Sequence, residues 1–185
     1  MLKGLTASAL ALACAGAAGA SGIEITVAGE GANGTITIDL FEDVAPGHVA
    51  RITDLAQAGA YDTVVFHRVI DGFMAQTGDV EFGKSGGDMR RAGTGRSDQP
   101  NLAAEFSDVP FERGVVGMAR SQDPDSANSQ FFIMFDEGAF LNGQYTVVGR
   151  VTQGLDVLDA IKRGTGPNGA VVGQPDMMQS VAVID

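Results

Sequence analysis

Apolar and polar residues alternate with a period of two along much of this chain, which confines it to a fold of many short, half-buried strands. Residues 66–79 show the pattern with an unusual mixture of side chains. Phe66, Arg68 and Ile70 would face one way on a strand, with His67 and Val69 facing the other. After Asp71-Gly72, a turn signal, Phe73, Ala75 and Thr77 oppose Met74 and Gln76. The stretch reads as two strands joined at or near that turn. Arg68 and Gln76 carry donors that are costly to bury without partners, so they stand out among residues otherwise suited to a core. Spacing alone leaves two readings equally open, a functional pair or an Arg68 on a solvated face above an ordinary Phe73 and Met74 core.

The rest of the chain extends the strand pattern and interrupts it twice. Residues 22–29 and 35–41 alternate as partner strands. Between them, residues 29–34 fit the letters G-x-G-x-x-G, yet a strand follows where a dinucleotide-binding loop needs a helix. Asn33-Gly34 suits a hairpin turn instead. Over residues 45–58 the period lengthens: Pro46 occupies a first helical position, Val49, Ile52, Leu55 and Ala56 recur at helical spacing, and Gly59 follows as a stop. His48, near its start, is expected on the exposed face. Residues 80–104 are glycine-rich, mixed in charge and without period, a long loop in which Met89, Arg90 and Arg91 are candidates for tuning ligand preference. Residues 114–119, 130–135 and 146–151 read as further strands, Leu155, Leu158 and Ile161 mark a second helix, and Val181 and Val183 a closing strand. A closed antiparallel barrel with helices over its ends and a β-sandwich with helices fit this pattern about equally well.

Composition narrows the function classes. The net charge of −11 repels phosphate backbones and anionic membranes, so nucleic acid is not an expected partner. Lys3, the small apolar run over residues 5–18 and Ala18-Gly19-Ala20 have the form of a secretory signal over residues 1–20, leaving a single domain over residues 21–185. Cys14 is the one cysteine and lies inside that segment. Ala11-Leu12-Ala13-Cys14 faintly resembles a bacterial lipoprotein box, so a lipid anchor at Cys14 is the alternative to a freely secreted, periplasmic protein. The remaining chain has no thiol, two histidines and no tryptophan, too few ligands for a structural zinc site. Neither histidine lies near a nucleophile context such as G-x-S-x-G, and nothing singles out two acids as a hydrolytic pair. Asp123 and Asp125 lack the spacing of a calcium loop. No metal or cofactor is expected.

Three runs carry a family resemblance. Phe66-His67-Arg68-Val69-Ile70, Gly72-Phe73-Met74, Gln76 and Gly78-Asp79 form the first. Gly117-Met118-Ala119-Arg120 with Ser126-Ala127-Asn128-Ser129-Gln130-Phe131-Phe132-Ile133 form the second. Phe140-Leu141-Asn142-Gly143 with Tyr145-Thr146-Val147-Val148-Gly149 form the third. In order and spacing they resemble the signatures of cyclophilins, the peptidyl-prolyl cis/trans isomerases, over about residues 22–185. The resemblance implies a mainly β fold, a closed eight-stranded antiparallel β-barrel capped by two α-helices, and so decides between barrel and sandwich. It implies that Phe73, Met74, Phe132 and Leu141 line a proline pocket, with Arg68 and Gln76 as the catalytic pair. Ala119, Arg120 and Gln130 would line the groove, Arg120 through its main chain. Phe140 stands where many members carry tryptophan, which weakens the expected affinity for cyclosporin; Tyr145 stands where histidine is common, and Arg120 where asparagine is. His67 is assigned to structure.

Prolyl isomerisation suits a chain so poor in reactive groups. Amide resonance opposes rotation about Xaa-Pro with a barrier of roughly 18–20 kcal/mol, and crossing it needs no nucleophile, proton transfer or cofactor. A site must hold the ring in an apolar pocket and favour the twisted amide. The expected function is isomerisation of Xaa-Pro bonds in exported polypeptides by a monomer. A proline-recognising binding module without turnover is the alternative.

Overall fold

The computed structural model describes residues 22–185. The expected signal segment and Cys14 lie outside the described residues. Nine strands form one antiparallel sheet: β1 (Gly22–Ala28), β2 (Gly34–Leu40), β3 (Val64–Val65), β4 (Arg68–Ile70), β5 (Met74–Thr77), β6 (Val115–Met118), β7 (Phe131–Met134), β8 (Val147–Gln153) and β9 (Met177–Ile184). Their order across the sheet is β3-β9-β1-β2-β8-β6-β7-β5-β4. Among the described residues the α-helices are α1 (Pro46–Gln57) and the six-residue α2 (Leu155–Ala160).

The two edge strands, β3 and β4, are neighbours in sequence, so the sheet curls back towards itself as a half-barrel. No ladder joins them. Thr77 Oγ1 instead donates across the gap to Val65 O at 2.9 Å, and residues 164 and 171 donate main-chain N–H groups to Val69 O and His67 O. The expectation of eight strands closed into a barrel therefore gives way to nine strands with an open seam. The cause is local: the strand expected through residues 66–70 breaks at Phe66 and His67. Phe66 N still donates to Asp176 O at 2.9 Å, in register with the β3–β9 pair, and the chain takes β5 as its partner only from Arg68. The break also shifts the alternation, so Phe66 and Val69 both enter the main core while Arg68 and Ile70 stay half-buried.

The main core lies inside the curl. Ile23, Ile25, Ile36 and Ile38 meet Val49, Ile52, Leu55 and Ala56 of α1 and Leu158 of α2 there. A second apolar cluster covers the other face of the same sheet. In β7, Phe131 and Ile133 point into the main core while Phe132 and Met134 join the second cluster. In β5, Ala75 and Met74 divide the same way. β7, Phe131-Phe132-Ile133-Met134, is buried on both faces, which is why it reads as a continuous apolar run. Gly117 makes the second layer possible, because a Cβ there would stand 2.6 Å from both Phe111 and Phe132.

The His48 expectation is corrected. Its side chain is fully buried, and Nδ1 lies 2.6 Å from Glu105 Oε2. Ala45, the residue before α1, has no capping side chain. Glu105 replaces it from a distant loop, accepting from Gly47 N and His48 N, both at 3.1 Å. The carboxylate thus satisfies donors that the helix start leaves unpaired.

Residues 80–104 hold no strand or helix, only bends, turns and isolated bridges, as the glycine-rich composition suggests. The loop is nonetheless held at several points. Arg51 Nη2 donates to Pro100 O at 2.8 Å, and Asn128 receives Ser97 N at 2.9 Å and donates to Gln99 O at 2.9 Å. Arg91 lies over the Phe82 ring at 3.4 Å. Asp125 caps the backbone at Ala104 N (2.8 Å), and Asp123 accepts from Asp125 N, so both acids have structural partners. Among the described residues no three His, Cys, Asp or Glu side chains converge to hold a metal.

Candidate active site

Register places the polar pair. β4 and β5 pair with Arg68 opposite Gln76 and Ile70 opposite Met74, so all four side chains share the outer face of the sheet. Next to β5, β7 adds Phe132 opposite Gln76. A short 3-10 turn, Ala139–Leu141, brings Phe140 and Leu141 over that face. The resulting cavity, about 260 Å³, is lined by Arg68, Phe73, Met74, Gln76, Ala119, Arg120, Phe132, Phe140, Leu141 and Tyr145. Every residue expected for the proline pocket is present there. Gln130 lies in an adjoining cavity of about 590 Å³ that shares Gln76, Ala119 and Arg120. That second cavity also takes in Arg91 and Arg96 from the long loop; Met89 and Arg90 do not reach it.

The floor is Phe132. It stacks on Phe111 (centroids 5.7 Å apart) and meets the edge of Tyr145 at 5.9 Å. Phe73 and Phe140 form the opposite wall, 5.4 Å apart. Phe73 lies in the turn before β5 rather than on the strand, so the simple alternation does not govern its direction. Phe140 is 65% exposed, a rim residue free to change shape at little cost to the fold.

Arg68 is held on two sides. Nη1 donates to Gln76 Oε1 at 3.0 Å, while Nε and Nη2 donate to the carbonyl and the side-chain oxygen of Asn168 at 3.0 and 3.3 Å. Partial burial lowers its pKa from the ordinary arginine value, and the group stays a cation. A guanidinium fixed beside an apolar cavity is a preorganised donor for charge that builds up within it. Asn168 adopts φ of +55°, a left-handed conformation that asparagine tolerates better than most residues. The Gly166-Pro167-Asn168-Gly169 run signals a turn, but no local pattern could place that turn beside a residue so far away in sequence.

The remaining polar groups form a scaffold. Arg120 donates to Gln144 O through Nη2 (2.8 Å) and Nε (3.2 Å), and its guanidinium lies 4.3 Å from the Tyr145 ring centre. Its side chain thus ties the loop after β6 to the pocket wall, a task beyond the main-chain role expected of it. Gln76 Nε2 donates to Gln130 Oε1 at 3.0 Å. Gln130 Nε2 in turn donates to Gly93 O and Gly95 O at 3.1 and 2.8 Å. His67 lies away from this face, buried beneath Gly93, with neither ring nitrogen hydrogen-bonded. Burial pushes its pKa down to about 4, against the opposing pull of Asp79. It is a neutral structural imidazole.

The family model for cyclophilin type peptidyl-prolyl cis-trans isomerases matches residues 23–183. The chain belongs to the cyclophilin family. A probable peptidyl-prolyl cis-trans isomerase of Brucella suis is 55% identical over 170 residues, covering 91% of this cyclophilin and 87% of that protein. Peptidyl-prolyl cis-trans isomerase B of Escherichia coli is 36% identical over 157 residues, covering 80% and 87% of the two chains. Among solved structures, a cyclophilin from Hirschia baltica superposes with a TM-score of 0.68 at 27% identity, over 87% of this chain and 73% of that one. A Cryptosporidium parvum cyclophilin type isomerase, solved in the presence of the dipeptide Ala-Pro, gives a TM-score of 0.72 at 22% identity over 89% and 99% of the chains. That last likeness supports the fold alone.

Proposed function

We propose that this cyclophilin accelerates rotation about Xaa-Pro bonds in exported polypeptides by a non-covalent mechanism centred on Arg68. The apolar cavity between Phe132, Leu141 and Met74 takes the proline ring. Arg68 then donates towards the prolyl nitrogen, whose lone pair localises as amide resonance breaks. That interaction is stronger in the twisted state than in either planar isomer, which is the condition for faster turnover. Gln76 orients Arg68 and holds the substrate backbone, and Ala119, Arg120 and Gln130 line the groove beside it. The observation that carries the proposal is the Arg68 guanidinium, anchored by Gln76 and Asn168 at the edge of an apolar cavity with room for a proline ring. A well-placed donor of this kind is worth about 3–4 kcal/mol, or roughly 100- to 1,000-fold in rate.

The export assignment rests on Lys3, the apolar run after it and the small-residue site at Ala18-Gly19-Ala20. Cleavage after Ala20 would release a periplasmic monomer; lipidation of Cys14 would leave it membrane-anchored. Mass spectrometry of the protein from its native envelope separates these, by a free N-terminus at Ser21 or a diacylglyceryl mass on Cys14. Cyclosporin is proposed as a weak ligand of the pocket, since the Phe140 rim has no indole N–H. The isomerase reading is tested by NMR exchange of an Ala-Pro-containing peptide with wild-type and Arg68→Ala protein. Tight peptide binding without accelerated exchange would favour a binding module instead.

A further inference from the structure

Asp79 is fully buried and is not among the residues that line the apolar cavity. Four main-chain N–H groups converge on its carboxylate. Oδ1 accepts from Glu81 N (3.1 Å) and Phe82 N (2.8 Å), and Oδ2 from Gly93 N (2.7 Å) and Gly95 N (3.0 Å). The last two belong to the same residues whose carbonyls receive Gln130 Nε2. The segment 93–95 is thus gripped on both sides, its N–H groups by Asp79 and its carbonyls by Gln130. From Gln130 the contacts run on through Gln76 to Arg68.

We propose that Asp79 is a positioning residue for the isomerase, acting on Arg68 through the 93–95 loop, Gln130 and Gln76. The proposal rests on the reading of Arg68 as the catalytic cation. A primary amide has nearly the same shape either way round, so packing alone does not decide which end of Gln76 faces Arg68. The relay decides it. Carbonyls at Gly93 and Gly95 only accept and a guanidinium only donates, so one orientation of the two amides satisfies every contact. Turning either amide over would set donor against donor at Arg68 or acceptor against acceptor at the loop. Asp79 holds the two carbonyls at the place where this polarity is imposed. A carboxylate carries only acceptor oxygens, so it can receive all four N–H donors at once. An asparagine would turn an NH₂ towards two of them. Loosening the loop frees Gln130, then Gln76, and lets the long Arg68 side chain spread over other rotamers. Misplacement by about an ångström is enough to cost on the order of 100-fold in a positioned reaction.

The test is a double-mutant cycle on turnover, read by NMR exchange with Asp79→Asn, Arg68→Ala and the double variant. The proposal predicts that Asp79→Asn lowers kcat about tenfold or more with KM within about twofold, and that it has no further effect once Arg68 is alanine. In the folded single variant the Arg68 Nε–H resonance should also shift or broaden. The same fractional loss in both backgrounds, or unchanged kcat, would overturn the relay and leave Asp79 a loop tether only. If Asp79→Asn does not fold, Gln130→Leu breaks the relay at a part-exposed link and should give the same signature; full kcat in that variant would equally overturn it. If Arg68→Ala keeps full turnover, the reading of the site fails instead. The Arg68 Nε–H resonance then decides the relay alone, a shift in Asp79→Asn supporting it and an unmoved peak refuting it.

Discussion

Lowering the pH from 6.5 towards 4 should weaken this fold through His67. The imidazole is 8% exposed and neither ring nitrogen has a hydrogen-bond partner. Burial pushes its pKa from 6.5 to about 4, with Asp79 and the Val65 main chain pulling the other way and Arg68 adding a smaller downward push. The unfolded chain takes up the proton first, so the group favours folding fully above its unfolded pKa. That contribution is lost as pH falls from 6.5 towards 4 and is constant below. At about 1.4 kcal/mol per unit, a shift of this size is on the order of 3 kcal/mol, a large fraction of a typical domain's stability. The assay is urea denaturation of the wild type and His67→Gln at several pH values between 7.5 and 4. All other titrating groups are common to both proteins, so the difference isolates His67. The wild type should lose about 3 kcal/mol more than the variant across the window, whatever their offset at neutral pH. Parallel stability curves would refute the reasoning.

Phe132→Ala should destabilise the fold by about 3 kcal/mol, by opening the cavity floor beside Phe111 and Gly117, and weaken peptide binding as well; denaturant midpoints and KM report the two effects. Glu105→Ala removes the acceptor shared by Gly47 N, His48 N and the His48 ring, and should cost about 1–3 kcal/mol in denaturant unfolding with kcat unchanged. Phe140→Trp adds ring area and an N–H at an exposed rim position. It should tighten cyclosporin by about tenfold in a calorimetric titration while leaving the fold unaltered.

Much of this molecule is legible locally, and the parts that are not share a cause. The alternation of Ile23, Ile25 and Val27, and of Ile36, Ile38 and Leu40, marks a hairpin whose strands the structure places at Gly22–Ala28 and Gly34–Leu40. Pro46 and Gly59 bracket α1 because both act on the backbone at their own positions. The pairing of Arg68 with Gln76 follows from the turn at Asp71-Gly72, and the three signature runs carry the rest of the pocket. What escapes is long-range polar pairing. Glu105 capping α1, Asn168 beneath Arg68 and Asp79 behind the 93–95 loop each join segments that no periodicity relates. The burial of His48 escapes for the same reason, since its partner, Glu105, comes from a distant loop. The extra strand is not legible because the alternation runs on by letter through Phe66 and His67, while the chain changes partner there, from β9 before the break to β5 after it.

The central claim, that Arg68 drives isomerisation from the edge of an apolar pocket, is tested most directly by exchange spectroscopy on a short Ala-Pro peptide. Wild-type protein and Arg68→Ala would be compared at equal concentration, with their amide spectra recorded alongside. The account predicts fast exchange with the wild type, a loss of roughly 100-fold or more in the variant and superposable spectra away from the site. Equal exchange rates from two equally folded proteins would contradict it.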